Sequence, residues 1–483
     1  MNFVFFIPDE MRAESVSCYG HPLVSMPNYD RLAAEGTRFE QCHVQHSVCS
    51  PSRCSLMTGW YPHVAGHRTL WHLLRPHEPS LFRYLKEAGY HIEWYGKNDL
   101  YAAASFATAV DHFADFEGGH AGSNLFRPDE PGYYSFLYEP FPGQPVETGD
   151  MRRVQAGIDF LRNHARQTEP FVLYLPLSMP HPPYACPQPF HDRVNPADIP
   201  PLRPANLPHK PDYFDLIRRY RRLDEVPDEI FAKIQAVYLG CNSYVDWMLG
   251  QLLDALDETG LAENTCLIVT SDHGDWAGDY GLVEKWPSAL DDTLTRVPLI
   301  IRAPGGTAGH VVHEPVEFFD IMATVLDLAG VEARHTHFAQ SLVPQLRGAP
   351  GDPDRAVFAE GGYDPHEPHV FEGRANEIIF RDATNIYYPK GRQQQEHPES
   401  VCRAVMLRTL DYKLVRRPLG VSELYDLRAD PRELRNVYAD SSYADIRAQM
   451  ESGLLDWYIR TADVVPVGED PRGLPCDNAC AGS

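Results

Sequence analysis

Short apolar runs separated by helix-patterned stretches constrain this chain more than any other feature. Phe3–Ile7 (FVFFI), Phe171–Leu175 (FVLYL), Cys266–Thr270 (CLIVT) and Leu299–Ile301 (LII) lack the alternation of a half-exposed strand. They read as strands buried on both faces. Pro79–Gly89 reads as an amphipathic helix ended by Gly89, with His91–Tyr95 as the next strand. Ile234, Tyr238, Cys241, Val245, Met248, Leu249, Leu252 and Leu256 recur at helical spacing and form a core-facing stripe. Strands alternating with helices in this way predict an α/β fold, a large mainly parallel mixed sheet flanked by helices on both faces.

After about residue 370 the texture changes. Ala404–Leu407 and Tyr412–Arg417 read as short antiparallel strands, and Glu423–Val437 as a strand and turn followed by a short helix. The expected organisation is a catalytic α/β domain over 1–370, a smaller α+β subdomain over 371–462 and an extended tail over 463–483. Twelve prolines lie between Pro176 and Pro211. A loop that long in a compact protein is usually functional. Pro187–Pro211 and Gly361–Gly373 are the expected walls of a substrate pocket.

The chain of 483 residues carries 43 basic and 67 acidic side chains, a formal charge of −24. That balance excludes a nucleic-acid partner, which needs a basic face, and an anionic membrane surface. No run of eighteen apolar residues exists to span a bilayer. The N-terminus lacks a positively charged leader pattern, so the ten cysteines read as reduced thiols and the location as cytoplasmic. Cys476 and Cys480, in the polar tail, are the pair that could bind metal or form a disulfide. The tail after Ala462 suggests arm exchange in a homo-oligomer.

Chemistry concentrates just after the strands. Asp9 and Glu10 follow Phe3–Ile7, and Ser271-Asp272-His273-Gly274 follows Cys266–Thr270. Open α/β sheets bind ligands beyond the carboxyl ends of their strands. Together Asp9, Glu10, Asp272 and His273 offer three carboxylates and one imidazole to a divalent cation. The oxygens suit Ca²⁺, Mg²⁺ or Mn²⁺, and the imidazole tilts the choice toward Mn²⁺. Cys49-Ser50-Pro51-Ser52-Arg53 supplies a third piece. Pro51 fits the first turn of a helix, which puts Cys49 at an N-terminus that favours anions, with Arg53 one turn on.

CSPSRCSLMTG resembles the signature of the type I sulfatases of the alkaline phosphatase superfamily, whose cysteine is oxidised to formylglycine. The resemblance extends through Tyr95-Gly96-Lys97, Ser178-Met179-Pro180-His181, Asp272-His273-Gly274, Glu284-Lys285 and Leu424-Tyr425-Asp426-Leu427. It implies an alkaline phosphatase-like fold and hydrolysis of an organic sulfate monoester of a sugar or aryl alcohol. It also implies a formylglycine-generating enzyme as maturation partner. One divalent cation (Ca²⁺ or Mn²⁺) would be held by Asp9, Glu10, Asp272 and His273 beside the modified Cys49. The hydrated aldehyde would offer one hydroxyl to attack sulfur and a second to release the bound sulfate. Arg53 would support the nucleophile, Lys97 and Lys285 the sulfuryl oxygens, and His181 would protonate the leaving oxygen.

The chain departs from the family in several places. Asp99 stands where a histidine usually follows the lysine, so Asp99, His67 or His72 would take the proton at release. Asp291-Asp292 replaces a frequent Tyr-Glu after Lys285, which makes Asp292 a candidate substrate contact. Glu10 is longer than the usual neighbour of the first metal aspartate. His273 replaces a frequent asparagine, as in relatives that hydrolyse phosphonate monoesters and phosphodiesters, the alternative reaction. A protein whose Cys49 stayed unconverted would instead be a silent binder of sulfated ligands. Trp60, Trp71, Trp94, Trp276 and Trp286 adjoin these motifs, and one of them is expected to stack on substrate.

Overall fold

The computed structural model describes residues 1–117, 122–372 and 381–468. The eight-stranded main sheet is built from β1 (Asn2–Asp9), β2 (Thr37–His43), β3 (His91–Tyr95), β4 (His112–Ala114), β5 (Phe171–Pro180), β6 (Thr265–Thr270), β7 (Arg296–Arg302) and β8 (His310–Glu317). Their spatial order is β4-β3-β5-β1-β6-β7-β2-β8. β7 runs antiparallel to β6 and β2, and every other pairing is parallel. The expected mainly parallel mixed sheet is therefore present.

β1 is the centre of the fold. Phe3 sits level with Val172 of β5 on one side and Cys266 of β6 on the other. The strand's two-residue period sends Phe3, Phe5 and Ile7 to one face and Val4 and Phe6 to the other. The first set packs with Met57, Leu81, Phe82 and Ile321, the second with Val154, Ile158, Val245, Leu249 and Leu252. The apolar stripe seen in the sequence lies on the 32-residue helix Asp228–Thr259, beside the helix Gly149–His164. Burying a phenylalanine side chain contributes about 1.5–3 kcal/mol, so a β1 with no exposed face anchors both layers.

A second, antiparallel sheet of order β12-β11-β10-β9 contains β9 (Val357–Gly361), β10 (Ala404–Arg408), β11 (Tyr412–Arg416) and β12 (Glu423–Asp426). Its first strand lies ahead of residue 370. The short helix expected within Glu423–Val437 does not form. β12 ends at Asp426, and Pro431 and the left-handed Glu433 (φ 57°) hold the following residues in turns. The helix of this region is Ala444–Thr461, tied to the main body by His63, whose Nε2 lies 2.7 Å from the Thr461 carbonyl. Among the described residues no helix is long and apolar enough to cross a membrane. Eight cysteines carry free thiols; Cys476 and Cys480, with most of the tail, lie outside the described residues.

Candidate active site

The parallel strands bring their carboxyl ends to one edge of the sheet, and the sequence motifs meet there. Asp9 closes β1, Lys97 follows β3, His181 follows β5, and Asp272 and His273 follow β6. The helix Cys49–Thr58 begins just beyond β2, with Cys49 as its first residue and Gly59 in the left-handed region at its end. Two glycines make the close approaches possible. A side chain at Gly274 would meet the Thr293 carbonyl oxygen at 1.9 Å, and one at Gly96 the Pro176 carbonyl oxygen at 2.1 Å. Only glycine fits where the chain leaves β6 and β3.

The Cys49 sulfur lies 3.2 Å from His273 Nε2 and 3.6 Å from Asp9 Oδ1. Candidate ligand atoms of Asp9, Cys49, Asp272 and His273 all lie within 4.8 Å of one another, and all four residues are buried. His273 Nδ1 donates to the Gly274 carbonyl at 2.9 Å, a bond that leaves Nε2 as the acceptor facing the cluster. Arg53 lies behind it: Nε donates to Asp272 Oδ2 at 2.8 Å, and Nη2 lies 3.3 Å from Asp9 Oδ2. Ser52 Oγ donates to the Asp272 carbonyl at 2.6 Å, so one turn of helix holds the β6 end in place.

Burial would raise the Asp9 carboxyl, but Lys97, His181 and Arg53 hold it well below the usual carboxylate range. Burial, with Asp9 beside it, pushes the Cys49 thiol well above its ordinary value. An unmodified Cys49 is thus a neutral thiol, not a thiolate nucleophile.

Glu10 takes a different position from the other two acids, Asp9 and Asp272. Its backbone is left-handed, with φ 69°, and is held by Tyr238, whose hydroxyl donates to the Glu10 carbonyl at 2.6 Å. Its carboxylate shares Asp9 with His181 rather than with Asp272 and His273. Oε1 accepts from Lys285 and lies 3.2 Å from His181 Nε2, while the buried Oε2 has no hydrogen-bond partner among the described residues. His181 Nδ1 donates to the Pro182 carbonyl at 2.7 Å, which aims Nε2 at Glu10 and Lys285. Lys97 is paired with Asp9 and, at 2.7 Å, with Asp99.

A cavity of about 270 Å³ opens above Cys49. Lys97, Asp99, His181 and Lys285 line it, as do Leu70 and Trp71. Of the five tryptophans, Trp94, Trp276 and Trp286 are fully buried and Trp60 nearly so, whereas Trp71 is 45% exposed at this wall.

Other expectations are corrected. Asp292 does not line the cavity: Lys413 lies 2.9 Å and Arg408 3.3 Å from its carboxylate, which ties β7's approach to the second sheet. His67 is held by the His72 carbonyl and Glu78, and His72 by Thr69, so neither lines the cavity. The loop Pro187–Pro211 is a brace: Arg203 pairs with Glu14 and Asp279, and Lys210 with Asp291. Of Gly361–Gly373 only Glu372 lines the cavity among the described residues. Tyr387, Lys390 and Gly391, at the start of the helix Tyr388–Glu396, complete the wall. Sequence reasoning missed them, since nothing in that polar segment marks a site; the one available signal was Lys390 in an otherwise uncharged turn.

Carboxylates and an imidazole grouped on strand ends, with cations across a small cavity, suit a compact tetrahedral anion. Comparison with known proteins makes this specific. The Sulfatase family model matches residues 1–331, and the N-sulphoglucosamine sulphohydrolase C-terminal model matches residues 366–459. The chain belongs to the sulfatase family, and the enzyme is a sulfuric ester hydrolase. It is 28% identical to an uncharacterised sulfatase, YidJ, of Escherichia coli, over 96% of this chain and 88% of the relative. It is also 28% identical to the multifunctional alkaline phosphatase superfamily protein PehA of Trinickia caryophylli, over 98% and 96%. The phosphonate monoester hydrolase of Agrobacterium radiobacter shares the fold, with a TM-score of 0.75, 24% identity and coverage of 95% and 96%.

Proposed function

We propose that the protein hydrolyses an organic sulfate monoester to alcohol and sulfate, with Cys49 converted to formylglycine and one divalent cation in the acidic cluster. The observation that carries this reading is the Cys49 sulfur set against Asp9, Asp272 and His273, under a cavity floored by Lys97, His181 and Lys285.

The residues suit a cation. Asp9, Asp272 and His273 offer buried oxygens and an aimed imidazole nitrogen, and Glu10 Oε2 is a buried carboxylate oxygen with no hydrogen-bond partner among the described residues. That donor set fits Ca²⁺ or Mn²⁺. When bound, the cation would supply Lewis-acid stabilisation of negative charge, and the hydrated aldehyde of formylglycine two hydroxyls on one carbon.

The chain's own side chains do the rest. Arg53 orients Asp9 and Asp272. Lys97 and Lys285 bind the sulfuryl oxygens and counter the charge that builds on them. His181 presents Nε2 to the leaving oxygen as the proton donor, with Glu10 3.2 Å from that nitrogen. Asp99, the one candidate of three that lines the cavity, accepts the proton when sulfate is released. Formylglycine at position 49 implies a formylglycine-generating enzyme during maturation. The reduced, buried thiols fit a cytoplasmic setting.

The test is intact-mass analysis of residue 49 together with turnover of an aryl sulfate. An unmodified Cys49 in protein from its native host, without turnover, would instead leave a binder of sulfated ligands. His273 facing the sulfur favours a second reading, hydrolysis of a phosphonate monoester or phosphodiester at the same site. Parallel kinetics on phenyl sulfate and a phenyl phosphonate ester separate the two, and a large excess of phosphonate turnover reverses their order.

A further inference from the structure

Most side chains given a part in the reaction stand at a strand end or in the helix Cys49–Thr58. Lys285 does not. It lies well past the end of β6, and the stretch 271–291, all of it among the described residues, holds only the helical turn Asp279–Gly281. A lysine side chain is a long stem with several rotatable bonds, so its ammonium is placed only as well as the backbone beneath it. At Lys285 no strand ladder or helix supplies that backbone, and side chains must hold it.

The hold is on the preceding residue. Glu284 is 1% exposed and its backbone is left-handed, with φ 65°. That conformation costs a residue with a Cβ and persists only where the surroundings impose it. Here every polar group of the residue is engaged. Its N–H donates to the Tyr184 hydroxyl at 2.8 Å, and its carbonyl accepts from the Trp276 N–H at 3.2 Å. One carboxylate oxygen accepts from Arg221 and the other from Lys390, at 3.1 Å. Burial would raise the Glu284 carboxyl, but Lys390 and Arg221 hold it below the usual carboxylate range. The Tyr184 hydroxyl donates on to Asp275 at 2.7 Å, which joins the loop of His181 to the chain beyond His273.

Arg221 follows the helix Tyr213–Tyr220 and is 1% exposed. Its guanidinium lies over the Phe136 ring, 4.9 Å from the centroid. It does not line the cavity above Cys49. With the Glu284 carboxylate turned to Arg221 and Lys390, the next side chain reaches Glu10, and its ammonium lies 3.1 Å from His181 Nε2.

We propose that Arg221 and Glu284 are positioning residues of this site, and that their buried ion pair fixes the backbone from which Lys285 reaches the sulfuryl group. The inference rests on the hydrolase reading above. Arg221 touches no reacting atom and acts through Lys285.

The test is a double-mutant cycle on the full chain. Arg221→Gln is expected to lower kcat/KM on 4-nitrophenyl sulfate by about 10²-fold, the scale of loss when a group at the site moves by about 1 Å. In a Lys285→Ala background the same substitution is expected to cost less than about twofold, since the group it places is gone. Losses of equal size in both backgrounds overturn the inference, and so does full activity of Arg221→Gln alone. Glu284→Gln carries the same cycle if Arg221→Gln fails to fold. The cycle is read a second time on the affinity for inorganic sulfate, by calorimetry, which needs no turnover. Arg221→Gln should weaken sulfate binding where Lys285 is present and leave it unchanged where it is not. No turnover of 4-nitrophenyl sulfate or of a phenyl phosphonate ester by the parent overturns the hydrolase reading, and the sulfate affinities then still decide whether the pair acts through Lys285.

Discussion

Cys49 Sγ lies 3.2 Å from His273 Nε2, although 224 positions of chain separate the two residues. One stands at the start of a helix and the other just past a strand, and the parallel sheet is what makes them neighbours. Lys97 acts to lower the thiol's pKa, but burial and the neighbouring Asp9 outweigh it and keep the thiol neutral. On the proposed mechanism, chemistry at this position depends on conversion of the cysteine. Cys49→Ala is expected to lower kcat/KM on an aryl sulfate by about 10⁴-fold or more and to leave the unfolding midpoint nearly unchanged. Mass analysis of the parent protein should show the aldehyde at residue 49 in the active fraction only.

The acidic cluster makes a separate prediction. Asp9, Asp272 and His273 are buried side by side, and Arg53 is the cation that the structure itself supplies to both acids. A chelator is expected to abolish turnover, and Ca²⁺ or Mn²⁺ to restore it. The same cation should raise the thermal midpoint, since a ligand that binds only the folded state stabilises it by about 2.7 kcal/mol at a hundred times its Kd. Asp272→Asn should lose that shift. A midpoint indifferent to added cation would remove the metal from the site.

Much of this was legible in the sequence because the relevant signals are local. A buried strand shows itself by a run such as FVFFI, and in a parallel sheet the residues that follow such runs share an edge. Asp9 and Asp272 could thus be placed together before any contact was known, whereas Lys97 and His181 joined them through the family resemblance, and Cys49 through that resemblance and its helix-start pattern. The outer wall was not legible, because Tyr387 and Lys390 reach the cavity from a helix whose sequence, YPKGRQQQE, has no apolar face to reveal its packing. Asp292 misled for a similar reason. Its partners Arg408 and Lys413 lie on β10 and β11, more than a hundred residues downstream.

His181 is expected to matter most where the departing alcohol is a poor leaving group. Its Nδ1 is committed to the Pro182 carbonyl, and Nε2 faces the cavity. General acid catalysis contributes about 10²–10⁴-fold when the leaving oxygen needs a proton. His181→Ala should therefore slow an alkyl sulfate by that range and 4-nitrophenyl sulfate far less. Equal losses on both esters would reassign His181 to binding alone.

The last prediction concerns Asp292, whose place in the structure is a joint and not a pocket. Burial alone would raise its carboxyl, but Lys413 and Arg408 hold it well below the usual range. A carboxylate depressed in this way adds stability above its unfolded value, about 3.9, and loses it as pH falls toward the folded value. Asp292→Asn removes one carboxylate from the wholly buried Lys413 and leaves it paired with Glu433. Breaking a buried pair on one side costs about 3–5 kcal/mol. At neutral pH the variant should unfold at clearly lower denaturant than the parent, and the gap should narrow below about pH 4, where Asp292 of the unfolded parent chain takes up a proton that the folded state resists. kcat/KM of the folded variant should match the parent. A fall in kcat/KM at an unchanged denaturant midpoint would return Asp292 to the substrate.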